Sequence, residues 1–72
     1  MSTRIIILKS ITHAMRGQNI LNSYRIRNRL ERNVYAVSKY GCGYGLRVAL
    51  NDLDRAVSIL KANDFNIKEI MK

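Results

Sequence analysis

The chain has 72 residues, 47% of them hydrophobic and 25% charged, with a net charge of +8, no proline and one cysteine. A chain this short buries only about 60% of its unfolded surface, which leaves room for one core, a single domain over residues 1–72, and excludes a two-domain organisation. The composition excludes disorder, the longest aliphatic run (Ile5 to Leu8) is far short of the roughly 20 residues that span a bilayer, and a lone cysteine excludes an internal disulfide, so a soluble, cytoplasmic protein is expected.

"RIIILK" (Arg4 to Lys9) is a β-branched run bounded by charges and apolar on both faces, which predicts a central strand. Ser10 or Thr12 can then cap a helix. In that helix Ile11, Ala14, Met15, Leu21 and Tyr24 share one stripe with a period of about 3.6, broken by Gln18. "RIRNRLER" (Arg25 to Arg32) alternates, with Ile26 and Leu30 on one side and Arg25, Arg27, Arg29 and Glu31 on the other, and predicts a half-buried second strand.

The segment up to Gly45 is expected to be a loop, with a strand extension through Val34 and Val37. "LRVAL" (Leu46 to Leu50) alternates again. Asn51 or Asp52 caps a second helix with a stripe of Leu53, Ala56, Val57 and Leu60, and "NIKEIMK" makes a last, charged strand. The order βαββαβ is that of an α+β fold, the ferredoxin-like split βαβ sandwich: a four-stranded antiparallel sheet with two helices on one face. This topology puts the loop that carries Cys42 at the same end of the sheet as Lys9 to His13.

Charge is unevenly spread. Residues 1–50 hold nine lysines and arginines against Glu31 alone, whereas residues 51–72 hold four of each sign. The field of the first fifty residues therefore attracts anions, whether nucleic acid, acidic protein or small oxyanion.

Cys42 is set among Gly41, Gly43 and Gly45 in "SKYGCGYGLRV" (Ser38 to Val48). A thiol becomes a thiolate more readily near a helix N-terminus or a cation, and the shared sheet end offers both. The first-turn N–H groups around Ser10 and Thr12 face an anion, Lys9, Lys39 and Arg47 add positive charge, and the glycines let backbone amides approach an ion. His13 is placed to act as acid or base beside the thiol. The plainer reading makes the glycines turn residues, Ser10 and Thr12 caps, and His13 a first-turn residue with no catalytic duty. One histidine and few acids give no reason to expect a metal or another cofactor.

Arg25, Arg27 and Arg29 form a row that suits phosphate neutralisation, or equally an edge strand protected from aggregation by long charged side chains. Compared with the RNP1 pattern of RNA-binding sheets, "CGYGLRVA" (Cys42 to Ala49) retains only Gly43, Tyr44 and Gly45.

"SITHAMRGQNIL" (Ser10 to Leu21) followed by "YGCGYGLRV" (Tyr40 to Val48) resembles the selenium/sulfur (Se/S) carrier-like family over nearly the whole chain. Its marks are the Ser/Thr-rich start of helix 1, here Ser10, Thr12, His13 and Ala14, and a Cys-Gly-x-x-Leu-like segment, here Cys42, Gly43 and Leu46. Members are also found behind a sulfur-carrier domain of the TusA type. The resemblance implies that Cys42 holds sulfur or selenium as a persulfide or selenosulfide and passes it from a donor to an acceptor protein, a carrier rather than an enzyme. A basic module for anions or nucleic acid, an adaptor for an acidic protein, and a homodimer formed through strand 4 or the open sheet face are the alternatives that the charge and topology leave open.

Overall fold

A computed structural model describes residues 2–41 and 43–72. The elements are β1 (Thr3–Ile7), α1 (Ile11–Ser23), β2 (Arg29–Arg32), α2 (Val34–Tyr40), β3 (Tyr44–Ala49), a single 3-10 turn (Leu50–Asp52), α3 (Leu53–Ala62) and β4 (Glu69–Met71). The four strands form one antiparallel sheet in the order β2-β3-β1-β4. The central pair aligns Thr3 with Ala49 and Ile7 with Gly45, while β2 pairs Arg29 with Arg47 on one flank and β4 pairs Ile7 with Glu69 on the other. The class is α+β, as the sequence pattern predicts, with β3 lying between the parallel strands β1 and β2, and β1 between β3 and β4.

Strand alternation divides the apolar run Ile5 to Leu8, which begins in β1 and ends one residue beyond it, between the two faces. Ile6 and Leu8 join Leu46 and Val48 of β3, Ala14 and Leu21 of α1, and Ala56 and Leu60 of α3 in the main core. Each large side chain fully buried there contributes about 1.5–3 kcal/mol. Ile5 and Ile7 point the other way and pack with Ala36 and Tyr40 of α2 and Met71 of β4 in a second cluster. Two helices therefore cover one face, as expected, and a third covers part of the opposite face.

That third helix replaces the expected loop between strands 2 and 3. Asn33 caps it, its side chain accepting from the Ala36 N–H at 2.9 Å, and Gly41 ends it in the left-handed conformation, φ 79°, with its N–H donating to Val37 O. The capping pair Asn33 and Gly41 was the sequence signal; the β-branched Val34 and Val37 obscured it. The second strand is correspondingly short. Arg25 has φ 61° just after α1, Arg27 is still in the connection, and only Arg29 of the arginine row lies on β2.

The buried stripe of α1 is also displaced from the expected one. Ala14, Gly17 and Leu21 are buried, whereas Ile11 and Met15 are 42% and 52% exposed. A Cβ on Gly17 would stand 3.1 Å from Leu46, 3.3 Å from Leu60 and 3.4 Å from Leu8. The absent side chain lets α1 approach the sheet along that side, so the glycine, and not the neighbouring apolar residues, sets the helix's rotation. At α3 no side-chain cap forms on Asp52; the 3-10 turn leads the chain into the helix instead. Among the described residues no helix is long and apolar enough to cross a membrane.

Candidate functional site

The expected convergence of the α1 start and the glycine segment is visible in the backbone. The N–H of Leu8 donates to Tyr44 O at 3.0 Å and Ile7 pairs with Gly45, so the residues leading into α1 and those opening β3 share one end of the sheet. They share the end but not the face: α1 packs on one side of the sheet and α2 on the other. Cys42 itself lies outside the described residues, between Gly41, the last described residue after α2, and Gly43.

On the α1 side, Ser10 is the N-cap. Its Oγ accepts from the His13 N–H at 3.3 Å and lies 3.0 Å from His13 Nδ1. The half-buried His13 ring meets Phe65 edge-on at 6.1 Å, while Thr12 and Lys9 are exposed. Ser10 and His13 thus form a local capping pair.

The glycines around Cys42 each have a place in the backbone. Gly41 ends α2. Gly43 O accepts from the Asn33 N–H at 2.6 Å, extending the β2-β3 ladder, and a Cβ on Gly43 would collide with Asn33 O and with Val37. A Cβ on Gly45 would stand 2.6 Å from Ile6 O and 2.9 Å from Ile5. The close approach of α2 and β1 to this segment leaves no room for side chains at Gly43 and Gly45.

Lys39 and Arg47 point to different neighbours. Lys39 Nζ and the Tyr40 hydroxyl both donate to Glu69 Oε1, at 3.1 and 2.5 Å, fastening the last turn of α2 to the first residue of β4. Lys39 also lies over the rings of Tyr35 and Tyr40, at 5.8 and 5.4 Å. Arg47 lies opposite Ile5, two residues into the sheet from Gly45, and is bonded to Glu31 and Thr3. Tyr44, the aromatic of the RNP1-like run, packs against the main core.

Glu69, Asn33 and Glu31 are the residues that sequence reading missed. Asn33 had a capping signal; Glu69 had no local one, since Tyr40 and Lys39 are 29 and 30 positions away. The Tyr40 hydroxyl, and then the Lys39 ammonium, hold the Glu69 carboxyl below its ordinary 4.5. The hydrogen bond to Glu69 in turn raises Tyr40 above 10.0 and Lys39 above 10.5.

A lowered carboxyl stabilises the fold above its ordinary value and stops doing so as pH falls through the lowered one. Raised Tyr and Lys groups contribute below their ordinary values and lose that contribution as pH rises through the raised ones. The α2 to β4 fastening should accordingly hold from about pH 5 to about pH 10 and weaken on either side. Thermal unfolding across pH should show this, with Glu69→Gln flattening the acid limb; an acid limb unchanged in that variant would contradict it.

Two compact clusters of charge and hydroxyls thus lie on the α2 side of the sheet, and among the described residues no group of three or more His, Cys, Asp or Glu could hold a metal ion. This is a small, basic α+β module with one cysteine in the connection between a short helix and a central strand. The family model described as "Putative Se/S carrier protein-like" matches residues 3–72, and the chain belongs to that family. Neither the curated proteins nor the solved structures contain a match to it.

Proposed function

We propose that this protein carries reduced sulfur or selenium on Cys42, between a donor and an acceptor protein. The observation that carries the reading is the family match over residues 3–72 of a chain whose only thiol is Cys42. In the loading step the Cys42 thiolate attacks the terminal sulfur of a donor persulfide, R–S–SH. A new S–S bond forms to Cys42, the donor's S–S bond breaks, R–S⁻ leaves, and Cys42 holds –S–SH. Attack by an acceptor thiolate on that outer sulfur reverses the exchange and frees Cys42. A selenosulfide follows the same exchange, and no external oxidant or reductant is consumed.

The cation excess in residues 1–50 favours a thiolate over a thiol. Incubation with a desulfurase and cysteine should add the mass of one sulfur atom to the intact protein, released by a reducing thiol and absent in Cys42→Ser. No mass gain, or a gain retained in Cys42→Ser, would overturn the reading. Alkylation measured against pH should titrate below the ordinary value of about 8.5 for a free thiol.

A further inference from the structure

On the sheet face that α2 partly covers, toward the end of the ladder away from Gly45, there is a shallow groove whose lining includes Thr3, Arg27, Asn28, Arg29, Arg47 and Ala49. We propose that this groove binds a phosphate-type oxyanion, at a site separate from Cys42. Its centre is Arg47. The guanidinium donates through Nε to both carboxylate oxygens of Glu31, at 3.0 and 2.9 Å, and through Nη1 to Thr3 Oγ1 at 2.8 Å. Its side chain is 27% exposed, and Nη2 and the second N–H of Nη1 have no partner among the described residues.

An arginine already fixed by other bonds loses little freedom when a ligand arrives. Its paired Nη groups match two oxygens of a tetrahedral anion. The Thr3 hydroxyl, an acceptor toward Arg47, still has its own proton to donate.

Glu31 offsets only part of the positive charge. Arg29 pairs with Arg47 across the ladder; its side chain is 81% exposed and its Nε is 3.9 Å from Glu31, while Arg27 is exposed at the rim. A carboxylate would use both of its oxygens on the Arg47 edge. A phosphate has further oxygens and charge for Arg29, Arg27 and Thr3, and therefore suits the whole set. No aromatic side chain lines the groove among the described residues, so it can hold a phosphate without stacking a base. Arg25, outside this group, has no part in the site.

The test is an amide and arginine side-chain NMR titration at low salt with two probes, inorganic phosphate and a short mixed-sequence single-stranded oligonucleotide. Saturable shifts at Thr3, Arg29, Arg47 and Ala49 are expected with at least one. Arg29→Gln, at an exposed position that leaves the fold intact, should weaken binding by about tenfold, the size of one charged contact. Cys42→Ser and Arg55→Gln should leave it unchanged. Saturation by inorganic phosphate identifies a free oxyanion as the ligand, and binding of the oligonucleotide alone, with a steep salt dependence, identifies a phosphodiester backbone; both support the site. No binding of either probe, binding indifferent to Arg29→Gln and Arg27→Gln, or tighter binding of a glutamate-rich peptide than of both phosphate probes would overturn it.

Discussion

Gly45→Val should remove most of the folded population at room temperature. Gly45 lies in the central strand pair, opposite Ile7, and even a Cβ would stand 2.6 Å from the backbone oxygen of Ile6 and 2.9 Å from Ile5 Cγ1. The obstructing oxygen belongs to β1, the strand that pairs with both β3 and β4, and so it cannot turn aside as a side chain can. Overpacking of a core costs about 1–3 kcal/mol when side chains can give, and more when backbone must move. A domain of this size has only about 4–11 kcal/mol in total, at roughly 0.05–0.15 kcal/mol per residue. Denaturant unfolding followed by circular dichroism should find the midpoint strongly lowered or no transition at all; a midpoint within error of the parent would show that β1 and β3 can separate at this point without cost.

Gly43→Val should act more locally. Its side chain would enter the space between β3 and α2 occupied by Asn33 O, Val37 N and Val37 Cγ2. The main core, built on Ile6, Leu8, Leu46 and Val48 with α1 and α3, lies on the other face and does not depend on this contact. The expected result is displacement of α2, which uncovers Ile5 and Ile7 while α1 and α3 stay in place. Hydrogen exchange should then show lost protection for the α2 amides, with Leu21 and Leu60 still slow, together with binding of a hydrophobic dye. Uniform loss of protection through α1 and α3 would mean that the two cores unfold as one unit. The same variant reports on function, because Gly43 adjoins Cys42: a carrier that relies on the chain held by α2 should load sulfur more slowly.

The sulfur reading and the anion groove call on separate parts of the molecule. Arg47, counted from sequence with the residues around Cys42, is committed to Glu31 and Thr3 in the body of the sheet. Lys39 is committed to Glu69 and Tyr40. Cation type and position along the chain do not say which carboxylate a flexible lysine or arginine will meet, and here the partners are 16 and 30 residues distant.

Much of the fold was nonetheless determined by the sequence alone. Local patterns carry their own physical cause: the β-branched run of β1, the alternation that ends in β2 and recurs in β3, Ser10 at the start of α1 and the apolar stripe of α3 each act over a few residues. With the βαββαβ order, they were enough for the class, the four strands and the common end of β3 and the α1 start. The single cysteine and the motifs around it were likewise legible, and the family follows from them.

The tertiary structure alone decided what depends on distant surfaces meeting. Val34 to Tyr40 is a helix because Asn33 and Gly41 cap it and because Ile5 and Ile7, on the second face of β1, need cover that α1 and α3 cannot reach. The rotation of α1 comes from the contact of Gly17 with Leu8, Leu46 and Leu60, three residues from three other segments. The same closeness explains the glycines around Cys42: Gly43 and Gly45 are where α2 and β1 come too near β3 for any side chain, a steric fact that composition and spacing do not contain.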